Sequence, residues 1–385
     1  MTPEKLRIVK IKVIGIGGAG CNAVNHMIDY QVEGVEFTSA NTDSQALLNS
    51  FAEDKIMLGA EMLKGIGAGG DPLIGEKAAI ESEKEIRQKL ENIDLLFIVC
   101  GLGGGTGTGA SPVIARIAQE MNILVVAAVT KPFSFEGRFR SANADKGIQN
   151  LKKYVDSMII IANDKLLETQ GNYSLDKSFN SADENLRLAI QTISELVVMP
   201  AKINLDFADV KRVFTKKKNA LFGVGVSEGK RKAIDATREA IKCNLLEASI
   251  KGVKNAIVNF TGGPGTTLFD INDSIDYLKK QAGEEVNIIF GLKINKEMGE
   301  KMMVAIIATD FNEGEIKYAN PDMIEQIRKS RELEEKKLSS DTNENDISKT
   351  ESSSTNDANL NFSDNDVEFR ESEETDDDVP PFMRE

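Results

Sequence analysis

The sequence is 385 residues long, carries a formal net charge of −14, and contains three cysteines and one histidine. This length allows two domains and an extension at about 150 residues per domain, and the cysteines (Cys21, Cys100, Cys243) form no CxxC pair, which excludes a disulfide scaffold and suits a reducing compartment. No apolar run approaches the roughly 20 residues that span a bilayer, and "MTPEKLRIVK" has no signal-peptide pattern, so we expect a cytoplasmic protein without direct membrane insertion.

The negative charge is concentrated near the end of the chain. Residues 331–385 contain 18 Asp and Glu against 6 Lys and Arg, a net charge of −12, which leaves −2 for residues 1–330. Duplex-binding proteins usually carry a clustered basic face, so the near-neutral body predicts no nucleic-acid partner. The one basic cluster, "KRVFTKKKN" at 211–219, is interpreted as a solvated helix face or loop.

The first half of the chain alternates apolar, β-branched runs with helical periodicity. This alternation predicts a parallel sheet covered by helices on both faces. Ligands of such sheets bind beyond the carboxyl ends of the strands. The predicted strands are 8–15, 35–40, 94–100, 123–129 and 156–162.

A single long helix is predicted at 183–199, where apolar residues recur three and four apart before Pro200. A second α/β block follows from about 220 to 315, with strands predicted at 252–262, 286–292 and 302–310. The long helix therefore connects two predicted domains.

The end of the chain changes composition after about residue 335. Ser, Asn, Asp, Glu and Thr dominate, so the segment cannot bury enough apolar surface to offset its ordering entropy, which predicts a disordered acidic linker. Apolar side chains return beside two prolines in "DDDVPPFMRE" (376–385), which favours a docking motif over a random tail end. The docking residues are Asp378, Val379, Pro380, Pro381, Phe382, Met383 and Arg384.

Two glycine-rich loops follow predicted strands and precede predicted helices. "GIGGAG" (15–20) has the spacing of a dinucleotide fingerprint, which alone is weak evidence. "GLGGGTGTGA" (101–110) supplies a second set of backbone amides at a helix N-terminus, with the Thr106 and Thr108 hydroxyls available to phosphate oxygens. Two such loops on one sheet favour a polyphosphate over a single pyrophosphate.

The second loop resembles the signature of the tubulin/FtsZ family. Three more segments resemble its bacterial FtsZ branch, and the similarity covers about residues 8–315, while the tail resembles that family's partner-binding peptide. The resemblance implies that the glycines hold the phosphates of GTP. The segments are "GGGTGTG" (103–109), "NTDSQAL" (41–47), "TKPFSFEGRFR" (130–140) and "NLDFADVK" (204–211).

The resemblance also implies a set of nucleotide-binding residues. Glu136 and Arg140 match ribose-side residues, and Asp183 matches a guanine-recognising one, which is chemically sensible because a carboxylate can accept both N1–H and N2–H₂ of guanine. "GAGGDPLIG" (67–75) resembles a loop near the γ-phosphate. Ala19 and Cys21 depart from the usual pattern and put nucleotide affinity in question. The full set is Gly18, Ala19, Gly20, Cys21, Asn22, Gly104, Gly105, Thr106, Gly107, Thr108, Glu136, Arg140, Asn163, Phe179 and Asp183.

Hydrolysis needs an oriented water, and the first domain offers no obvious base. From spacing alone, capping of the next helix is the favoured role of Asp206 and Asp209. The resemblance instead implies that this loop enters the γ-phosphate pocket of the next subunit, where Asp206 and Asp209 polarise water and Asn204 helps to position phosphate or metal. Mg²⁺ is expected on the β- and γ-phosphates, its protein ligands unknown. The lone histidine, His26, is assigned to surface or packing.

The sequence therefore predicts a self-assembling GTPase. Its filaments would form the cytokinetic ring at midcell on the inner face of the membrane and recruit division proteins and membrane tethers. Two alternatives remain: a related plasmid-segregating filament GTPase, and an NAD-dependent oxidoreductase with Glu36 or Asp43 on the ribose. The predicted organisation is a Rossmann-like parallel-sheet GTP-binding domain at 1–182, a connecting helix and catalytic loop at 183–219, a smaller α/β domain at 220–316, a helix end and disordered linker at 317–375, and the partner-binding peptide at 376–385.

Overall fold

A computed structural model describes residues 9–165, 175–198, 202–203, 205–242 and 250–311. These residues belong to one unit, Met1–Lys329, and the second unit, Ser330–Glu385, lies outside the described residues. The predictions for the linker, the 376–385 peptide, Asn204 and Cys243 also fall outside them, as does the side chain of Phe179.

The strands form one ten-stranded sheet in the order β3-β2-β1-β4-β5-β6-β7-β10-β8-β9. The first six strands are parallel to their neighbours, as predicted. The strands are β1 Ile11–Ile16, β2 Glu36–Asn41, β3 Asp54–Met57, β4 Leu95–Gly101, β5 Leu124–Lys131, β6 Ser157–Ala162, β7 Ala220–Glu228, β8 Asn255–Gly262, β9 Asn287–Ile294 and β10 Lys301–Thr309.

The helices lie between the strands, and none in the described part of the chain is both long enough and apolar enough to cross a membrane. The helices are α1 Gly17–Asp29, α2 Ser44–Leu48, α3 Ala60–Leu63, α4 Pro72–Glu81, α5 Glu83–Lys89, α6 Thr106–Glu120, α7 Arg138–Leu151, α8 Leu175–Val198, α9 Phe207–Phe214, α10 Lys232–Lys242 and α11 Leu268–Ala282.

The parallel strands are buried on both faces because helices cover each side. Phe97 and Val99 of β4 pack with α1 and α8 in one core. Leu96 and Ile98 point the other way and pack with α4, α6 and α7 in a second core. Alternate side chains of a strand point to opposite faces, so a continuous apolar run is what such a sheet requires.

The second half is a smaller mixed sheet. β10 pairs antiparallel with β7 and β8, while β9 lies parallel to β8. Its link to the first half is one pairing of Ile159 with Ala220, together with α8, whose Ile190 and Ile193 share a core with Ile307 of β10. The long helix thus packs against both halves of the sheet.

The predicted fold class is confirmed, with two strands missed and one helix start misplaced. β3 is only four residues long, and β7 ("ALFGVGVSE") is interrupted by glycines. A Cβ at Gly225 would lie 2.1 Å from the Ala236 carbonyl oxygen, so the glycine lets α10 approach the strand. α8 begins at Leu175 rather than 183, although Leu175, Phe179 and Ala182 already have the four- and three-residue spacing that its later turns continue.

Candidate nucleotide-binding site

The first glycine loop is a direct passage from β1 into α1. Gly17 opens the helix with a φ of 72°, a left-handed conformation that favours glycine. A Cβ at Gly20 would lie 2.4 Å from the Val99 carbonyl oxygen, so this glycine lets α1 pack closely on β4. A Cβ at Gly18 would meet nothing within 4 Å, which leaves its backbone open to an approaching ligand.

The second loop joins β4 to α6, and its two threonines have different roles. The Gly103 N–H donates to Thr108 Oγ1 (2.8 Å), so this hydroxyl fixes the loop from within. The Thr106 hydroxyl is hydrogen-bonded to that of Thr42 (2.7 Å). The first turn of α6 starts at Thr106, and the amides of a first helical turn have no acceptor within their helix, so they are available to phosphate oxygens.

The two loops meet in a cleft of about 380 Å³ at the carboxyl ends of the strands. Gly101 and Thr130, which lie at or near the ends of β4 and β5, form part of its wall, together with Leu102 and Pro132. Leu102, Thr130 and Pro132 are not among the predicted nucleotide-binding residues. The predicted nucleotide-binding residues that line the cleft are Gly18, Ala19, Gly104, Gly105, Thr106, Gly107, Glu136, Arg140, Asn163 and Asp183.

Four predicted residues do not line this cleft. Gly20 is buried against β4, and Thr108 is buried with its hydroxyl turned to its own loop. Cys21 is buried below the first loop, where burial raises the pKa of its thiol to about 11 and keeps it protonated. Asn22 is exposed on α1. The methyl of Ala19 lies beside Gly101, where an added Cβ would come within 2.7 Å, so the missing side chain at 101 makes room for it.

The far end of the cleft carries oxygen acceptors. Asn163 is 5% exposed, and its Oδ1 has no hydrogen-bond partner among the described residues. Asp183 projects from α8, where burial raises the pKa of its carboxyl to about 7. A buried acceptor without a partner is unfavourable, so Asn163 Oδ1 fits a ligand that brings an N–H donor. The ionised Asp183 carboxylate can accept two such donors. Guanine has such donors at N1 and N2.

An ion pair between Glu136 and Arg140 stabilises the wall of the cleft between the glycine loops and Asn163. Arg140 Nη1 donates to Glu136 Oε2 (2.5 Å), and Glu136 Oε1 accepts from the Phe133 N–H (2.9 Å). The predicted γ-phosphate loop lies on the other side, where the Asp71 carboxylate caps α4 by accepting from the Leu73 N–H (2.9 Å). A Cβ at Gly105 would lie 2.9 Å from the Asp71 nitrogen, so the two loops are in close contact.

We expect nucleotide affinity to fall when the pH drops below about 7. Only the ionised Asp183 carboxylate can accept both N–H groups of guanine on its two oxygens. The raised pKa means that the carboxyl of the free cleft is protonated below neutrality. Between pH 8 and pH 6 the Kd for GDP should rise about tenfold through this group. Calorimetric titration at each pH measures this. The phosphates of GDP titrate in the same way with Asp183→Asn, so this variant measures any pH dependence that does not come from Asp183. If its Kd rises as much as that of the wild type between pH 8 and pH 6, the assignment is wrong.

The predicted catalytic carboxylates lie elsewhere. Asp206 precedes α9, is exposed, and makes no side-chain capping hydrogen bond to that helix. Asp209 in the first turn pairs with Arg212 (3.2 Å). The neighbouring Phe207 lines a separate cavity with Asp94 and Asn122, which lie just before β4 and β5. The simple capping role, which spacing alone favoured, is therefore absent at Asp206.

The structure places neither Glu36 nor Asp43 where the NAD-dependent alternative needs a ribose ligand. Glu36 begins β2 and pairs with Lys12 (3.3 Å), at the amino edge of the sheet and away from the glycine loops. The Asp43 carboxylate caps α2, accepting from the N–H groups of Gln45 (2.8 Å) and Ala46 (3.3 Å). Neither is positioned as a ribose ligand beside "GIGGAG".

The described residues form no group of three or more His, Cys, Asp or Glu side chains that could hold a metal ion. His26 lies outside the cleft, with its ring centroid 4.5 Å from that of Tyr30. Burial lowers the pKa of this imidazole. This placement agrees with a packing role.

Comparison with known proteins gives consistent matches along most of the chain. Residues 10–171 match the model of the GTPase domain of the tubulin/FtsZ family, and residues 218–312 match the FtsZ C-terminal domain. A structure of the empty FtsZ dimer from M. jannaschii is 37% identical, covering 80% of this chain and 89% of that chain, with a TM-score of 0.76. A mutant of the same protein gives 37% identity, coverage of 79% and 92%, and a TM-score of 0.75. GDP-bound CetZ1 from Haloferax volcanii shares the fold at 20% identity, covering 83% and 98%, with a TM-score of 0.68.

Proposed function

Because the chain belongs to the tubulin/FtsZ family and is a GTPase, we propose that it works as a head-to-tail polymer in which each subunit completes the active site of its neighbour. The GTP would lie in the cleft between the two glycine loops, with its phosphates on Gly104–Gly107 and its base toward Asn163 and Asp183. Mg²⁺ would enter with the β- and γ-phosphate oxygens as its ligands.

The observation that carries this proposal is the position of Asp206 at the opposite edge of the sheet. The cleft includes Gly101 at the end of β4, whereas Phe207 lies beside Asp94, which precedes β4. β4 is seven residues long, so the two edges are about 20 Å apart at 3.3 Å per residue. A subunit cannot bring Asp206 into its own cleft, but a second copy stacked in the same orientation can.

The exposure of the Asp206 carboxylate and its lack of a capping hydrogen bond support a role outside its own subunit. Aspartate at the start of a helix usually accepts from the helix amides. Asp206 makes no such bond and is exposed, so its oxygens are available to a water molecule held against another subunit's γ-phosphate. Asp209 lies in the first turn of α9, pairs with Arg212, and would assist.

The rim of the cleft also suits a subunit contact. Ile66, next to the predicted γ-phosphate loop, is 85% exposed, and Phe135, next to Glu136, is 63% exposed. Both apolar side chains are exposed enough to pack against a second copy of the chain. A contact between unlike surfaces that does not close into a ring produces an open filament. The matched M. jannaschii structure is described as a dimer, and a CetZ2 structure as a protofilament.

The cellular role we propose is cell division: filaments that form a ring at midcell on the cytoplasmic face of the membrane. The support is the match to the FtsZ C-terminal domain and the segment "TKPFSFEG" (130–137). Residues 376–385 would bind division proteins and membrane tethers, through the acidic linker that precedes them. A plasmid-segregating filament would share the GTP site but neither "TKPFSFEG" (130–137) nor the 376–385 peptide.

A concentration series tests the shared site. We expect GTP turnover per subunit to be nearly zero at low protein concentration and to rise above a threshold at which 90° light scattering also rises, because the active site exists only in the polymer. Phosphate release and scattering are measured on the same samples. Turnover per subunit that stays constant with concentration would place the whole active site in one chain.

A further inference from the structure

A second cavity lies beside the nucleotide cleft, between α4 and α7. We call it the α4–α7 pocket; its volume is about 470 Å³, within the range of roughly 300–1,000 Å³ that small-molecule sites occupy. Gly109 and Pro112 of α6 form part of its wall. No predicted catalytic residue lines it. Of the predicted nucleotide-binding residues that are described, Thr108 lines it, and Asp71, Pro72 and Leu73 of the predicted γ-phosphate loop line it as well.

The α7 side of the pocket combines rings with cations. Phe139 and Tyr154 supply aromatic surface, and Lys146 and Lys153 supply positive charge. Lys153 Nζ donates to Asn150 Oδ1 (2.9 Å). Within the described residues neither lysine has a carboxylate partner, so their charges are available to a ligand.

Asn143 adds an unmet hydrogen-bond donor to the same side. This residue is 9% exposed and lines the pocket, and its amide nitrogen has no acceptor among the described residues. A buried N–H without an acceptor loses free energy relative to its hydrated state. An oxygen-bearing ligand in the pocket would offer the acceptor that the protein does not.

The α4 side carries the opposite charge and sets the orientation of a ligand. The Asp71 carboxylate is engaged in capping α4 through the Leu73 N–H (2.9 Å). Glu76 is exposed on the same helix and faces the pocket. The charge therefore runs from negative at α4 to positive at α7, so an anionic group is favoured only at the α7 side.

We propose that the α4–α7 pocket is a ligand site for a small amphipathic organic anion. Its ring system packs on Phe139, Tyr154 and Pro112, and its acidic group is held by Lys146 and Lys153. Binding of the anion does not depend on the proposed nucleotide site.

The position of the pocket couples it to the nucleotide cleft, a consequence that does rest on the proposed function. Thr106 and Gly107 line the cleft, and the next two residues, Thr108 and Gly109, line the pocket. Phe139 faces the pocket, while its neighbour Arg140 faces the cleft. A ligand that restricts the movement of residues 106–109 and 139–140 therefore changes the rate at which the nucleotide dissociates.

The test uses 8-anilinonaphthalene-1-sulfonate as the probe, with the full chain saturated with GDP. The Lys146→Glu/Lys153→Glu variant should bind the probe with a Kd at least about tenfold higher, because both lysines attract the sulfonate and both glutamates repel it. Lys77→Glu/Lys84→Glu, which changes exposed lysines outside the pocket, is the matched control and should leave the Kd unchanged. Glu76→Gln should lower the Kd about twofold. The neutral N-phenyl-1-naphthylamine should not distinguish any of these variants.

Three results would overturn the site: an unchanged Kd in the pocket variant, an equal loss in the control variant, or a weaker complex in Glu76→Gln. Coupling is measured separately as the release of tritiated GDP. The probe should change this rate at least about twofold in the wild type and not in the pocket variant. A constant rate would refute the coupling. A failure of GDP to bind at all would instead refute the proposed nucleotide site.

Discussion

Replacement of Asp206 by alanine should lower GTP turnover by about 10²- to 10³-fold while leaving GTP affinity unchanged. The reason is geometric: the side chain lies at the opposite edge of the sheet from its own cleft, so it contributes nothing to binding there. Phosphate release measures turnover, and equilibrium dialysis with GTP measures affinity. Asp235→Ala is the control, because it removes an aspartate near the start of another helix, where Asp235 pairs with Arg238, and it should retain wild-type turnover.

Mixing two inactive variants separates a shared site from a site within one chain. Asp206→Ala keeps its cleft but lacks the carboxylate, and Asp183→Ala keeps the carboxylate but loses the base contact. In an equal mixture that assembles at random, about a quarter of the junctions combine an intact cleft with an intact loop, so turnover should recover to about a quarter of the wild-type rate. Turnover equal to the average of the two variants measured alone would contradict a site shared between subunits.

A methyl group added at Gly107 should destabilise the fold and abolish nucleotide binding. Its Cβ would lie 2.5 Å from the Gly101 carbonyl oxygen, so the backbone of the phosphate loop must move. Overpacking of this kind lowers the free energy of unfolding by about 2 kcal/mol. Urea denaturation measures the stability of Gly107→Ala, and calorimetry with GDP measures the binding.

Gly104→Ala separates the ligand contact from the fold. A Cβ at this position meets nothing within 4 Å, yet the residue lines the cleft. The free energy of unfolding should stay within about 0.5 kcal/mol of the wild type. GDP affinity should fall at least about tenfold, because the methyl group displaces a phosphate from its amide donors. Gly265→Ala, also in open space but outside the cleft, should change neither quantity; a stable Gly104→Ala with wild-type affinity would argue against phosphate binding by this loop.

Much of the site follows from local sequence, because each glycine loop joins one strand directly to one helix. "VIGIGGAGCNAV" (13–24) and "GLGGGTGTGA" (101–110) specify both a turn and a helix start, and these depend on neighbours a few residues away. The parallel arrangement of β1 and β4 then brings both loops to one edge. The sequence therefore determined the parallel core, the meeting of the two glycine loops at one edge and, by resemblance, the nucleotide.

Tertiary packing decided what local sequence leaves open. Asn163 and Asp183 join the cleft from distant parts of the chain, and burial alone raises the pKa of Asp183. Thr108 turned out to bond its own loop, and Asp206 proved not to cap its helix, although spacing allowed the opposite in both cases. Such choices depend on contacts between residues far apart in the chain, which periodicity and propensity do not encode. The position of Asp206 across the sheet from the cleft, set by the packing of α9 beside the start of β4, is the tertiary feature on which the proposal of a site shared between two subunits rests.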